Sequence, residues 1–130
     1  MKKRVTGLGG IFFKSTDPEA TKQWYSRYLN IESGDHGTLF QWRHHDDPDK
    51  EGNTAWSLFP EDTGYFKPGK KEFMINYRVD NLEELITVLK KEGVEVVGKI
   101  EEYPYGKFGW IMDPEGNKIE LWEPIGENSL

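Results

Sequence analysis

Glu120 is the residue of this chain best placed to do chemistry. It lies in Lys118-Ile119-Glu120-Leu121-Trp122, directly after the turn Asp113-Pro114-Glu115-Gly116-Asn117 and the apolar run that precedes it. Pro114 pre-sets φ for a turn, and Gly116 and Asn117 tolerate φ > 0, so the segment reads as two strands joined by a tight turn. Period-two alternation puts Lys118, Glu120 and Trp122 on one face and Ile119 and Leu121 on the other. A carboxylate in that setting is either a solvated outer-face side chain or one that lines a cavity. In a cavity it has two fates. Reached by Arg78, it is half of a structural ion pair. Left without that partner, it is a candidate general base.

Other chemistries find little support. There is no cysteine, which excludes a disulfide framework and a thiolate metal site. His44, His45, Asp46 and Asp47 look metal-like, but adjacent histidines on a strand point to opposite faces, and the stretch reads as a solvated hairpin loop. His36 precedes a glycine in another turn and reads as surface. The glycines at 7–10 fall inside an expected strand rather than between a strand and a helix, so they make no phosphate loop.

The elements that must position Glu120 come in two copies of one order. Val5–Lys14 reads as a strand. Asp17 caps a helix with Pro18 at its first position, Ala20, Trp24 and Tyr28 form a core-facing stripe, and Asn30 is a left-handed stop. Strands follow near Gly37–His44 and Asn53–Pro60. Glu61–Lys71, rich in Gly, Pro and charge, reads as a linker. The second copy has a strand at Glu72–Val79 and a helix capped by Asp80 with Glu83 completing a capping box. Leu82, Leu85, Ile86 and Leu89 form its stripe and Gly93 its stop. Strands at Val94–Lys99, Tyr105–Asp113 and Asn117–Glu123 complete it. The helices are expected at about 18–29 and 81–92. The fold class is α+β: two βαβββ modules, at about 5–60 and 72–124, in a single domain spanning 1–130. Their mixed sheet would curve around a cleft with the helices outside.

With 130 residues and a net charge of −6, the composition speaks against nucleic acid as a partner and for a soluble, cytoplasmic protein. No apolar run is long enough to span a bilayer, so no membrane partner is expected. The basic start Met1-Lys2-Lys3-Arg4 leads into a glycine-bearing first strand rather than a leader's apolar stretch. Aromatic residues make up 14%, with five tryptophans.

The doubled unit, with Gly9-Gly10-Ile11-Phe12-Phe13-Lys14, Asp17, Trp24-Tyr25 and the DPEGN turn followed by Ile119-Glu120-Leu121, resembles the vicinal oxygen chelate superfamily. That superfamily includes glyoxalase I, the bleomycin-resistance proteins, methylmalonyl-CoA epimerase and the extradiol dioxygenases. The resemblance implies metal ligands on four strands facing a cleft. Carried over one by one, these positions fall on Gly10, Ser57, Met74 and Glu120. Of these, only the glutamate suits Zn, Ni, Mn or Fe(II), so neither a metal nor another cofactor is expected. The residues sharing parity with those four are Phe12, Ala55, Phe59, Asn76, Arg78 and Trp122. The expected ligand-binding set is therefore Phe12, Ser57, Phe59, Met74, Asn76, Arg78, Glu120 and Trp122, with Glu120 the candidate catalytic residue. Trp42, Tyr103, Tyr105, Phe108 and Trp110 are further wall candidates whose faces the hairpin pattern does not assign. Ile11, Phe13, Trp56, Leu58, Ile75, Tyr77, Val79, Ile119 and Leu121 would pack under the helices. Three readings follow. The first is a metal-free protein that binds a small aromatic or amphipathic molecule, with the carboxylate suiting a cation. The second is a metal-independent enzyme using Glu120 as base. The third is a metal-dependent lyase or dioxygenase with its ligands elsewhere. A homodimer is expected, since small modules leave sheet edges and aromatic residues for an interface.

Overall fold

The elements follow in the expected order: β1 (Gly7–Ser15), α1 (Pro18–Leu29), β2 (Thr38–Arg43), β3 (Glu51–Pro60), β4 (Phe73–Arg78), α2 (Leu82–Lys91), β5 (Val96–Tyr103), β6 (Gly106–Met112) and β7 (Lys118–Pro124). They come from a computed structural model in which residues 3–125 are described; Met1 and Lys2 of the basic start, and residues 126–130, lie outside the described residues.

Local chemistry accounts for both helices. Asp17 accepts the backbone N–H of Ala20 at 3.1 Å, Pro18 opens the first turn, and Asn30 ends α1 in the left-handed region at φ 57°. In α2 the cap falls one residue later than expected. Asn81 rather than Asp80 accepts the N–H of Glu84 at 3.2 Å, and its amide donates to the Glu84 carboxylate at 3.1 Å. Both residues are good caps with a glutamate three positions on, but the Asn81 amide can donate to the Glu84 carboxylate, whereas an Asp80 carboxylate has no proton to offer Glu83.

The seven strands form one sheet in the order β2-β3-β1-β4-β7-β6-β5. β1 pairs antiparallel with β4, so the two modules meet edge to edge within one chain. On the outer side of β1 lies the parallel strand β3, and on the outer side of β4 the parallel strand β7. The hairpins β2–β3 and β6–β7 extend the sheet both ways. The second module has the full βαβββ order. In the first, the segment matching β5 is reduced to an isolated bridge between Gly34 and Gly37, a turn too tight to lay down a strand.

The sheet's outer face carries the helices. Val79, Leu82, Leu85, Ile86 and Leu121 are buried together, with Tyr77, Ile111 and Ile119 against them. This is the α2 stripe meeting the expected apolar set, each fully buried side chain contributing about 1.5–3 kcal/mol. α1 behaves differently. The expected stripe Ala20, Trp24 and Tyr28 faces outward, with Trp24 52% and Tyr28 58% exposed, and none of the helix's residues is buried. Tyr25 instead takes the slot on the sheet, 6.3 Å from the Phe13 ring and 4.8 Å from that of Trp56. The hydroxyls of Ser15 and Thr21, 2.8 Å apart, hold the helix at that roll.

The segment expected to be a linker enters the inner face. Phe66, 1% exposed, packs with Met74 and Trp110, and Phe12, Phe59, Val97 and Phe108 close around them. Lys118 Nζ donates to the carbonyl of Tyr65 at 2.7 Å, and the N–H of Gly69 to that of Phe66 at 2.8 Å. A Cβ at Gly69 would stand 2.8 Å from the Phe66 carbonyl oxygen and 3.0 Å from the Lys118 nitrogen, so the strap lies as close to β7 as a glycine permits.

Candidate functional site

Beside this strap a cavity of about 570 Å³ opens on the inner face. Its lining comes from six neighbouring strands or their ends: Leu39, Ala55, Gly9 and Phe12, Asn76, Glu120 and Trp122, and Phe108, with Tyr105, His36 and Gly37 at the rim turns. Strands that far apart in one sheet share a cavity only where the sheet curves.

Glu120, 2% exposed, forms the polar floor. Asn76 stands opposite it in the parallel β4–β7 pairing and donates from Nδ2 to Glu120 Oε1 at 2.6 Å. Trp110 stands opposite it in the antiparallel β6–β7 pairing and donates from Nε1 to Oε2 at 2.9 Å. The hydroxyl of Tyr65, from the strap, donates to the same Oε2. Three neutral donors thus hold a buried carboxylate in one orientation. Among the described residues no ion pair joins Glu120 to Arg78. Arg78 lies over Trp122 at 5.0 Å and over Trp42 at 5.4 Å, and donates to the carbonyl of Asn53 at 3.1 Å.

Burial, and then the charge of Glu120, push the Tyr65 phenol well above the ordinary tyrosine range, so it remains an O–H donor. Burial pulls the Lys118 ammonium below its ordinary value, partly offset by Glu120 and Glu101. That ammonium lies over the rings of Tyr65 at 5.1 Å and Trp110 at 5.5 Å.

The second polar feature is Asn76 itself, 1% exposed. Its Oδ1 is buried with no hydrogen-bond partner, a state that ordinarily costs about 1–3 kcal/mol. Gly9 makes room for it: a Cβ there would stand 2.1 Å from Oδ1. The β1–β4 register shifts between Leu8 and Gly10, which makes Gly9 the extra residue of a bulge.

Of the residues expected on the cleft, Phe12, Asn76, Glu120 and Trp122 line this cavity. Phe59 and Met74 share the inner face but pack around Phe66, and Arg78 is enclosed between tryptophans. Ser57, on β3, pairs with Phe12 and lies beside Gly37, next to two lining residues without being one itself. The inner face is narrower than its parity implies, because the strap fills part of it. Tyr105, Phe108 and Trp110, whose faces the pattern left unassigned, all turn toward the site. Trp110 follows from the hairpin once the DPEGN turn pairs Met112 with Lys118. Tyr65 was missed altogether. It and Phe66 are adjacent aromatics in an otherwise polar Gly/Pro-rich stretch, a signal that composition alone obscures.

The donor set does not fit a divalent ion. No group of three His, Cys, Asp or Glu side chains converges among the described residues. Both Glu120 oxygens accept bonds from neutral donors. At Gly10 the position of a first-strand ligand is filled by the Phe12 ring, 2.5 Å from where a Cβ would stand. Met74, at another ligand position, is wholly buried against Phe66 and Trp110.

The family model described as Glyoxalase/Bleomycin resistance protein/Dioxygenase superfamily matches residues 8–121. Among solved structures the fold is similar to methylmalonyl-CoA epimerase from Mycobacterium tuberculosis, with TM-score 0.61, 19% identity, and coverage of 99% of this chain and 95% of that one. It is also similar to a single-substitution variant of the Streptomyces coelicolor methylmalonyl-CoA epimerase in complex with 2-nitronate-propionyl-CoA, with TM-score 0.68, 16% identity, and coverage of 94% and 99%. A structure described as an NAD-dependent benzaldehyde dehydrogenase from Legionella pneumophila matches with TM-score 0.57, 10% identity, and coverage of 89% and 98%. At these identities the likeness is one of fold. A comparison with curated proteins finds no match.

Proposed function

The chain belongs to the Glyoxalase/Bleomycin resistance protein/Dioxygenase superfamily, and from that premise we propose that it binds a small aromatic or amphipathic molecule in its inner cavity without a metal. The observation that carries this reading is the make-up of the cavity. Phe12, Tyr105, Phe108 and Trp122 supply apolar wall, and Glu120 and Asn76 supply a small polar floor. Concave, mostly apolar sites with a few converging polar groups are the usual form of small-molecule sites. A thermal-shift screen of aromatic fragments tests it. A ligand at a hundred times its Kd raises stability by about 2.7 kcal/mol, and Trp122→Ala should abolish the shift. A screen with no stabilising fragment would refute the reading.

A second reading has one observation in its favour. Glu120 is a buried carboxylate that lines the cavity, and among the described residues its Oε1 accepts only one hydrogen bond. A carboxylate so placed suits a general base in metal-independent proton transfer. Turnover of a ligand found in the screen, lost in Glu120→Gln, distinguishes this from retention alone.

The proposal extends to assembly and location. The outward Trp24, Tyr28 and Leu29 of α1 give a homodimer an apolar contact. Among the described residues no helix is long and apolar enough to cross a membrane. A cytoplasmic location is proposed on the acidic, cysteine-free composition.

A further inference from the structure

Resting on the reading of this cavity as a ligand site, we infer that its floor recognises a planar cation rich in N–H donors, of the amidinium, guanidinium or aminopyridinium class, carried on an apolar body. The floor offers acceptors and one negative charge. Glu120 Oε2 already takes two bonds, from Tyr65 and Trp110, whereas Oε1 takes one, from Asn76 Nδ2 at 2.6 Å. A carboxylate oxygen has two lone-pair directions, so Oε1 keeps one in reserve.

Asn76 supplies the second acceptor. Its Nδ2 is committed to Glu120, which turns Oδ1 to the opposite side of the amide, buried and unpartnered against the bulged Gly9. The two acceptors belong to residues paired across β4 and β7, and both residues line the cavity. A single-donor head group would satisfy one and leave the other. A forked, multi-donor head answers both.

The floor carries no cationic group for an anion, and the one histidine of the lining, His36, sits at a rim turn. The lining contains no lysine or arginine, and Arg78 is held between Trp42 and Trp122. The walls favour the same cation class. Phe108 and Trp122 are stacked within 5° of parallel, and Tyr105 meets Phe108 edge-on. Aromatic faces attract cations, and a delocalised planar cation gives up its hydration more readily than an ammonium.

Calorimetric titration of the unmodified chain with benzamidine, benzyl alcohol and benzoate near neutral pH tests this. Benzamidine should bind on the order of tenfold tighter than benzyl alcohol, with benzoate weakest, and Glu120→Gln should collapse that preference to about threefold or less. Benzyl alcohol or benzoate binding as tightly as benzamidine would overturn the inference and leave the cavity reading standing. Binding of none of the three would overturn both. A benzamidine preference untouched by Glu120→Gln would place the cation elsewhere and overturn the inference. Should that variant fail to fold, the Trp110 indole N–H resonance of the unmodified chain decides: it should shift on benzamidine titration, and a static resonance would overturn the inference.

Discussion

The hydroxyl of Tyr65 donates to Oε2 of Glu120, although the two residues stand 55 positions apart in the chain. One is in a strap between modules and the other at the centre of the final strand pair. The bond ties the order of the strap to the orientation of the carboxylate, so a change to either residue registers at the other.

Tyr65→Phe removes that donor and keeps the ring. A hydrogen bond to a charged group contributes about 1.5–3 kcal/mol, and denaturant unfolding should show a loss of that size. The pH dependence has a definite sign. The folded state raises the Tyr65 pKa. Below the ordinary tyrosine value of about 10 the phenol is protonated in both states, and its contribution is complete. As pH rises beyond that value the unfolded chain releases a proton that the folded one retains, so stability falls. The fall between neutral and strongly alkaline pH should be steeper in the wild type than in Tyr65→Phe.

Glu120→Leu should be far more damaging than Glu120→Gln. Leucine leaves Tyr65, Trp110 and Asn76 without their acceptor, a loss of about 3 kcal/mol or more. Glutamine keeps one oxygen for Tyr65 and Trp110 and turns its amide toward Asn76. Asn76 then rotates its own amide to present Oδ1. Equal stabilities of the two variants in chemical denaturation would contradict the network.

Phe66→Ala should cost about 3–5 kcal/mol, the usual cost of emptying a buried phenylalanine site. The loss should appear as a lowered denaturant midpoint. An exposed linker residue would show almost none.

Chelators should leave the melting temperature unchanged, and elemental analysis of purified protein should find no stoichiometric Zn, Ni, Mn or Fe. Phe12 and Met74 pack where ligands would have to stand, and a single hydrogen-bonded carboxylate competes poorly with water for an ion.

Sedimentation at tens of micromolar, roughly the range of specific association, should show a dimer, and Trp24→Glu should shift it to monomer. Neither Trp24 nor Tyr28 is buried within the chain, so circular dichroism should be unaltered.

Much of this arrangement was legible in the sequence, for identifiable reasons. Asp17, Pro18 and Asn30 bound α1 because capping is local chemistry. Alternation placed Asn76, Glu120 and Trp122 on one face because side-chain direction along a strand has period two. Long-range occupancy was not legible. The i, i+4, i+8 spacing of Ala20, Trp24 and Tyr28 is equally good for an inward or outward stripe, and it is Tyr25 that packs on Phe13 and Trp56. An ion pair with Arg78, on the same face, was one of two alternatives for Glu120, the other being a carboxylate without that partner. Tyr65 instead reaches it from a segment with no period to read, and Arg78 goes to two tryptophans.

The antiparallel seam between β1 and β4 bears on how the chain is made. β3 can join β1 as soon as it leaves the ribosome, but the other edge of β1 stays open until synthesis has passed Arg78. During that interval the nascent first module presents a bare strand edge and the uncovered aromatic side chains of Phe12 and Phe59, the kind of surface that chaperones hold and aggregates recruit. Mutations that slow the arrival of β4 should therefore reduce the yield of folded protein more than their effect on the finished molecule's stability predicts.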